Sequence, residues 1–178
     1  MLEIRSNGTI AAKGTTLTGY AAVFNSEAIL GDFTEVIRRG AFAKTLAAGN
    51  NIRALYHHQG DALLGTSRSG TLQLREDGHG LAFDLALPDT SHGRDLAVLV
   101  ARGDVAGCSF GFRVPEGGDR WEQRGAQMVR ELLQVELSEI TLTADPAYQD
   151  TTVAMRSYNE ATWWGNFCEV NQLWMQTV

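Results

Sequence analysis

Short runs of alternating apolar and polar residues, broken repeatedly by glycine, recur along most of this chain. A period of two sends one face of a strand into a core and the other toward solvent, whereas a helix needs a period of 3.6. Leu2–Ile10 and Thr16–Phe24 alternate, with Gly8 and Lys13-Gly14 as turn points. The second is the more apolar from Gly19 to Phe24 and is expected to be the more buried. Phe33–Ile37, Ile52–Tyr56, Leu63–Thr66, Gly70–Leu74 and Gly80–Leu87 read as further strands, and Asp77-Gly78 is a hairpin signal before the last of them. Ala106–Val114, Met128–Val135 and Glu139–Thr143 complete the set, and Asp145-Pro146-Ala147-Tyr148 closes the regular pattern.

Two segments depart from that period. Arg39–Leu46 holds helix formers, places Phe42 and Leu46 four apart on one face, and stops at Gly49-Asn50. Asp89-Thr90-Ser91 opens a second helix, which runs to Ala101 with Leu96, Leu99 and Val100 on its apolar side and ends at Gly103. Gln59-Gly60-Asp61 reads as a loop, and Pro115–Gln127 as a polar, flexible one. The expected fold is mainly β with flanking helices (α+β), a closed or orthogonally packed β-barrel with helices outside. The 178 residues suit one domain over 1–156, followed by a tryptophan-rich tail over 157–178 that carries Trp163, Trp164 and Trp174. The tail is open to three readings: a docked helix, a partner-binding segment or a non-native extension.

The net charge of −6, with no run of lysines and arginines, argues against a nucleic-acid surface. Arg38-Arg39 and the arginines between Arg120 and Arg130 are interspersed with acids and are expected on a solvated face. No apolar run approaches the roughly 20 residues of a membrane-spanning helix, and Met1–Arg5, polar and amphipathic, is not expected to act as a signal peptide. Cys108 and Cys168 are too few for a disulfide framework and lack metal-ligand spacing. Cys108 is expected to be a small core residue. No cofactor, metal, nucleic acid or membrane is called for, and a reducing cytoplasm is the simplest compartment.

Three groups carry chemistry. Ser109 sits in Gly107-Cys108-Ser109-Phe110-Gly111-Phe112, a loose Gly-x-Ser-x-Gly match. Phe110, Phe112 and Val114 continue it as a strand, so the strand-to-helix elbow of the α/β-hydrolases does not apply. The alternative is a strand serine bonded to a neighbouring carbonyl. His57-His58 follows an apolar strand, and alternation allows at most one of the two to face a site shared with Ser109. His79 and His92 are expected to be exposed. Glu139 lies in Val135–Leu142, where alternation groups Leu137, Glu139 and Thr141 on one face. It is either the wet face of an edge strand or the carboxylate that orients an imidazole, with Asp61, Asp104 and Glu136 as other acids. A hydroxyl, an imidazole and a carboxylate are the parts of serine acyl transfer. Cys108 as a thiol nucleophile is a lesser alternative.

Taken in order, these segments resemble one family, the tailed-phage prohead maturation proteases. The resemblance runs from Ile4 to Met155 through Gly19–Asn25, Ile37–Phe42, Leu55-Tyr56-His57-His58, Leu64–Leu72, Gly80–Phe83, Gly103–Phe112 and Glu139–Tyr148. It implies a barrel similar to the herpesvirus maturation proteases and a serine endopeptidase with His58, Ser109 and Glu139 as its catalytic residues. The family usually reads asparagine-histidine-aspartate where this chain has His57-His58-Gln59, and glutamate-valine-serine where it has Glu139-Ile140-Thr141. Ser157–Val178 matches no pattern of that family. The implied substrates are the scaffold segment of the major capsid protein and the protease itself, inside the assembling procapsid in the bacterial host cytoplasm. A homo-oligomer follows by analogy with the herpesvirus enzymes. Oxyanion donors are expected in the turn from Asp145 to Tyr148. Substrate is expected to add as a strand to an exposed edge, with the loop at Gly117-Gly118 ordering over it. The competing reading is a non-catalytic scaffold or assembly chaperone anchored by the tail tryptophans.

Overall fold

The computed structural model describes residues 2–13 and 15–144. The stretch 145–148 expected to form a turn, Cys168 and the tryptophan-rich stretch 157–178 lie outside the described residues. The strands are β1 (Glu3–Lys13), β2 (Thr16–Val23), β3 (Glu27–Leu30), β4 (Phe33–Ile37), β5 (Arg53–Tyr56), β6 (Gln59–Thr66), β7 (Leu72–Glu76), β8 (Gly80–Ala86), β9 (Gly107–Arg113), β10 (Asp119–Arg124), β11 (Gln127–Leu132) and β12 (Glu136–Thr143). Two helices, α1 (Ala43–Ala47) and α2 (Ser91–Arg102), interrupt them.

Eight strands form one sheet in the order β6-β5-β12-β9-β1-β2-β8-β7, and the other four form a second, β10-β11-β4-β3. The large sheet is antiparallel except where β5 runs parallel to β12. Its two ends nearly meet. A Cβ built on Gly65 of β6 would lie 2.8 Å from the Leu85 side chain of β8, and the Thr66 amide donates to Thr71 Oγ1 at 3.0 Å. The sheet is thus a nearly closed barrel, as the alternation implies.

Inside it, Leu17, Leu64, Leu72, Phe83, Leu85, Phe110, Phe112, Ile140 and Leu142 form one core with Phe42 beside α1, Leu132 of β11 and Leu96 of α2. Each fully buried Leu or Phe contributes about 1.5–3 kcal/mol. Helix α2 begins on Thr90, whose hydroxyl accepts from the Gly93 amide, and ends on Gly103 in the left-handed region at φ 83°.

Four expectations need correction. Pro115–Gln127 is not a flexible loop: a tight turn leads into β10, which pairs along β11. Gly118 is buried in that turn and its carbonyl accepts from the Leu133 and Gln134 amides, so it is pinned rather than free to fold over a substrate. Gln59-Gly60-Asp61 belongs to β6, which leaves only His57-His58 as the turn. Leu137 does not share a face with Glu139. Ser138 is an extra residue opposite β9, between the Leu137–Phe112 and Glu139–Gly111 pairs, and this bulge turns Leu137 into the core with Ile140 and Leu142. The Leu137 amide donates to Thr45 Oγ1 of α1 at 3.1 Å.

The last correction is Arg130. It is buried between the sheets, not solvated. Its Nη1 and Nη2 donate to Glu3 Oε2 and Oε1 at 2.6 and 3.0 Å, Nη1 also to Glu35 at 3.1 Å, and Nε to Asp119 at 2.7 Å. Arg5 completes the cluster with bonds to Glu3 and Glu35. Burial pushes the Glu3 carboxyl upward, but the hydrogen bonds and charges of Arg130 and Arg5 outweigh it and hold it below the usual range. The adjacent Glu131 takes Arg38, Arg120 and Arg124. Its hydrogen bond from Arg38, aided by Arg120, holds it at about 2 against burial.

Candidate active site

Strand alternation sorts the residues of β9 and β12. Cys108, Phe110, Phe112, Ile140 and Leu142 point into the core. Ser109, Gly111, Glu139 and Thr141 therefore lie on the opposite, outer face. Ser109 stands directly across from Thr141, and Gly111 across from Glu139. Only a glycine fits at 111, because a Cβ there would lie 2.8 Å from Glu139 Cγ. Far from being the wet side of an edge strand, β12 is flanked by β5 and β9, and Glu139 is buried.

The histidine pair reaches this face from the β5–β6 turn. Tyr56 pairs with Gln59 across it, and both His57 (φ 49°) and His58 (φ 58°) adopt left-handed backbone, as a two-residue hairpin turn requires. For non-glycine residues this costs on the order of 1–2 kcal/mol each. The turn is fastened by the His57 amide, which donates to the Leu142 carbonyl at 3.1 Å. Because the pair is not extended, alternation does not separate the rings. His58 Nδ1 meets Glu139 Oε1 at 3.1 Å, and His57 Nδ1 meets Thr143 Oγ1 at 3.2 Å, both on the outer side of β12. The His57 ring also packs against Tyr56 with centroids 4.2 Å apart.

Glu139 is held from two sides. Its Oε2 accepts from Arg53 Nη2 at 3.0 Å, and its Oε1 faces His58. A carboxylate only accepts, so His58 Nδ1 carries a proton toward it, and in the neutral ring Nε2 presents a lone pair. That Nε2 is buried without a hydrogen-bond partner, and so is Ser109 Oγ. The structure thus joins His58 to Glu139 directly and places Ser109 on the neighbouring strand, with no bond between Ser109 and His58. Cys108, which faces the core, has its thiol pushed up to about 12 by burial, which removes it as a nucleophile at neutral pH. Asp61, Asp104 and Glu136 are exposed and form no bond to either histidine of the turn. His79 and His92 are exposed.

Sequence reading missed Arg53 and Gly111, which position Glu139, and Thr45, which ties the Leu137 amide of β12 to α1. Arg53 is signalled only by the parallel register Arg53–Glu139, which no linear pattern carries. No group of three or more histidine, cysteine, aspartate or glutamate residues able to hold a metal lies among the described residues. No helix there is long and apolar enough to cross a membrane.

The model of the caudovirus prohead serine protease family matches residues 1–162 of the 178. The chain belongs to that family. The match runs into the tryptophan-rich stretch, past Met155, where the recognisable motifs end. The fold of this prohead protease is also that of the bacteriophage T4 capsid assembly protease, with a TM-score of 0.54 at 9% identity over 82% of this chain and 98% of the other. None of the curated proteins matches it. Membership makes it a phage protease of the assembling prohead.

Proposed function

We propose that this prohead protease is a serine endopeptidase with Ser109 as nucleophile, His58 as general base and then acid, and Glu139 as the group that orients and steadies the imidazole. The observation that supports this most is the His58–Glu139 contact at 3.1 Å. It leaves His58 Nε2 buried and unpartnered on the face that also holds an unpartnered Ser109 hydroxyl. A buried polar atom without a partner costs about 1–3 kcal/mol, and a passive scaffold module has no reason to keep two of them together.

Ser109 Oγ attacks a peptide carbonyl as its proton passes to His58 Nε2. The tetrahedral intermediate collapses, the C–N bond breaks, and the same proton goes to the departing amine. Water then repeats the sequence on the acyl ester and restores Ser109. Glu139 stabilises the imidazolium in both halves, and Arg53 fixes the carboxylate. Hydrogen bonds of this kind are often open in the free enzyme and tighten with substrate bound. The substrates in this reading are the scaffold segment of the major capsid protein and the protease itself, in the cytoplasm of the bacterial host.

A Ser109→Ala chain co-expressed with the capsid protein is expected to fold, to leave the scaffold segment attached and to keep its own full length on gels. A fluorophosphonate probe is expected to label Ser109 in the unaltered protein. Undiminished processing by the alanine variant removes the reading.

A further inference from the structure

Three buried side-chain polar atoms have no hydrogen-bond partner among the described residues: His58 Nε2, Ser109 Oγ and Thr141 Oγ1. The catalytic reading uses the first two and leaves the third over. Thr141 is fully buried. It stands opposite Ser109 on β9 and opposite Leu55 on β5, two residues along the same face from Glu139. Packing does not explain the hydroxyl, since valine has the same branched shape and would leave nothing unpartnered.

We propose that Thr141 is a positioning residue for the nucleophile, its hydroxyl donating to Ser109 Oγ while Ser109 donates to His58 Nε2. The inference rests on the reading of Ser109 as nucleophile. Donor and acceptor counts favour this direction. With Glu139 accepting from Nδ1–H, Nε2 offers a lone pair and no proton. Ser109 has one proton and two lone pairs. If the proton goes to Nε2, one lone pair is free to attack and the other accepts from Thr141. The chain Thr141, Ser109, His58, Glu139 then carries one proton in each gap and leaves no donor idle. In the opposite sense Ser109 would donate to Thr141, and Nε2 would have no proton to take. In the structure the two hydroxyls do not bond each other, but they stand directly across an antiparallel ladder, where hydroxyl pairs can interact, and the proposed bond forms as the site tightens on substrate. As Ser109 loses its proton, the bond it accepts becomes charge-assisted and strengthens. Thr141 keeps its own proton throughout, so it orients the attack without entering the bond changes.

The test uses the full chain as Thr141→Val and Thr141→Ser, with Ser109→Ala as the blank. A fluorophosphonate probe reports the maximal labelling rate of Ser109 and the concentration giving half that rate, and thermal unfolding is followed alongside. Thr141→Val is expected to lower the maximal rate about tenfold, the scale of one lost hydrogen bond. The half-saturating concentration stays unchanged and the Tm is equal or higher. Thr141→Ser is expected to recover most of the lost rate. Labelling of the valine variant at the unaltered rate overturns the proposal. So does equal slowing in both variants, which would assign the effect to the methyl group, or a rate loss that tracks a fall in Tm. If the unaltered protein fails to label at Ser109, the nucleophile reading fails and this inference falls with it. The other three outcomes leave that reading standing.

Discussion

Arg130, between the two sheets, has Glu3, Glu35 and Asp119 around its guanidinium. Ser109, on the outer face of the large sheet, is as deeply buried, and its hydroxyl has no hydrogen-bond partner among the described residues. Both positions take polar groups out of water, which is costly unless partners replace it. In the first the protein supplies a partner for each guanidinium nitrogen, and the result joins β1, β4, β10 and β11. In the second it supplies a partner for one side of His58 and leaves the other side open. Full pairing marks the place where polar groups hold structure. Pairing left incomplete marks the place where polar groups are kept for chemistry.

If this contrast is sound, damage at the two places should read out differently. The largest effect is expected from Glu139→Gln, which keeps size but removes the charge that fixes the His58 tautomer. Probe labelling of Ser109 should fall on the order of 10³–10⁴-fold, with little change in unfolding midpoint. A loss below tenfold would break the assignment of Glu139. Next, Arg130→Met removes one of the two buried cations that Glu3 and Glu35 share and leaves Arg5 to offset both. Urea unfolding should show a loss of about 3–5 kcal/mol, while the folded fraction labels at the unaltered rate. Equal loss of rate and stability would merge the two regions into one.

Acid sharpens the comparison further. Glu131 is held at about 2 in the folded protein, below the ~4.3 of an unpaired glutamate. Between those values the unfolded chain binds more protons, so stability contributed by Glu131 is present above them and is lost as pH falls. Glu3 is shifted in the same direction. The Tm is expected to drop from about pH 5 toward pH 2, and Glu131→Gln should flatten that slope. The smallest effect is expected from Arg53→Met. Its half-exposed ion pair to Glu139 is worth about 0.2–1 kcal/mol, so labelling should slow by no more than a few-fold.

Much of the barrel was legible because alternate residues of β8 (Leu81, Phe83, Leu85) and β9 (Cys108, Phe110, Phe112) enter the core, and a period of two survives in the linear chain. What was lost was lost for identifiable reasons. Asp119–Arg124 is too polar to read as a strand, yet it pairs along β11 and lays Trp121 beside Phe33, centroids 4.9 Å apart. Glu27–Leu30 is four residues long and lies at an edge. The bulge at Ser138 shifts parity, and no count of alternation reveals an inserted residue. Arg130 looked solvated because its acids come from β1, β4 and β10. At the site, the residue types of His58, Ser109 and Glu139 were readable. The left-handed turn that lets both histidines face β12 was not, since two imidazoles in that conformation have no sequence signal.

Strand β12 enters the large sheet between β5 and β9, although it is the last of the described strands to be made. Until it is threaded into place, the β5–β6 hairpin has no ladder joining it to the rest of the barrel. His58 and Glu139 are 81 residues apart along the chain, and such non-local pairings form slowly. A chain still emerging from the ribosome has the serine and the histidine but not the strand that brings them to one surface. In the proposed reading, competence to cut therefore arrives with the completed sheet.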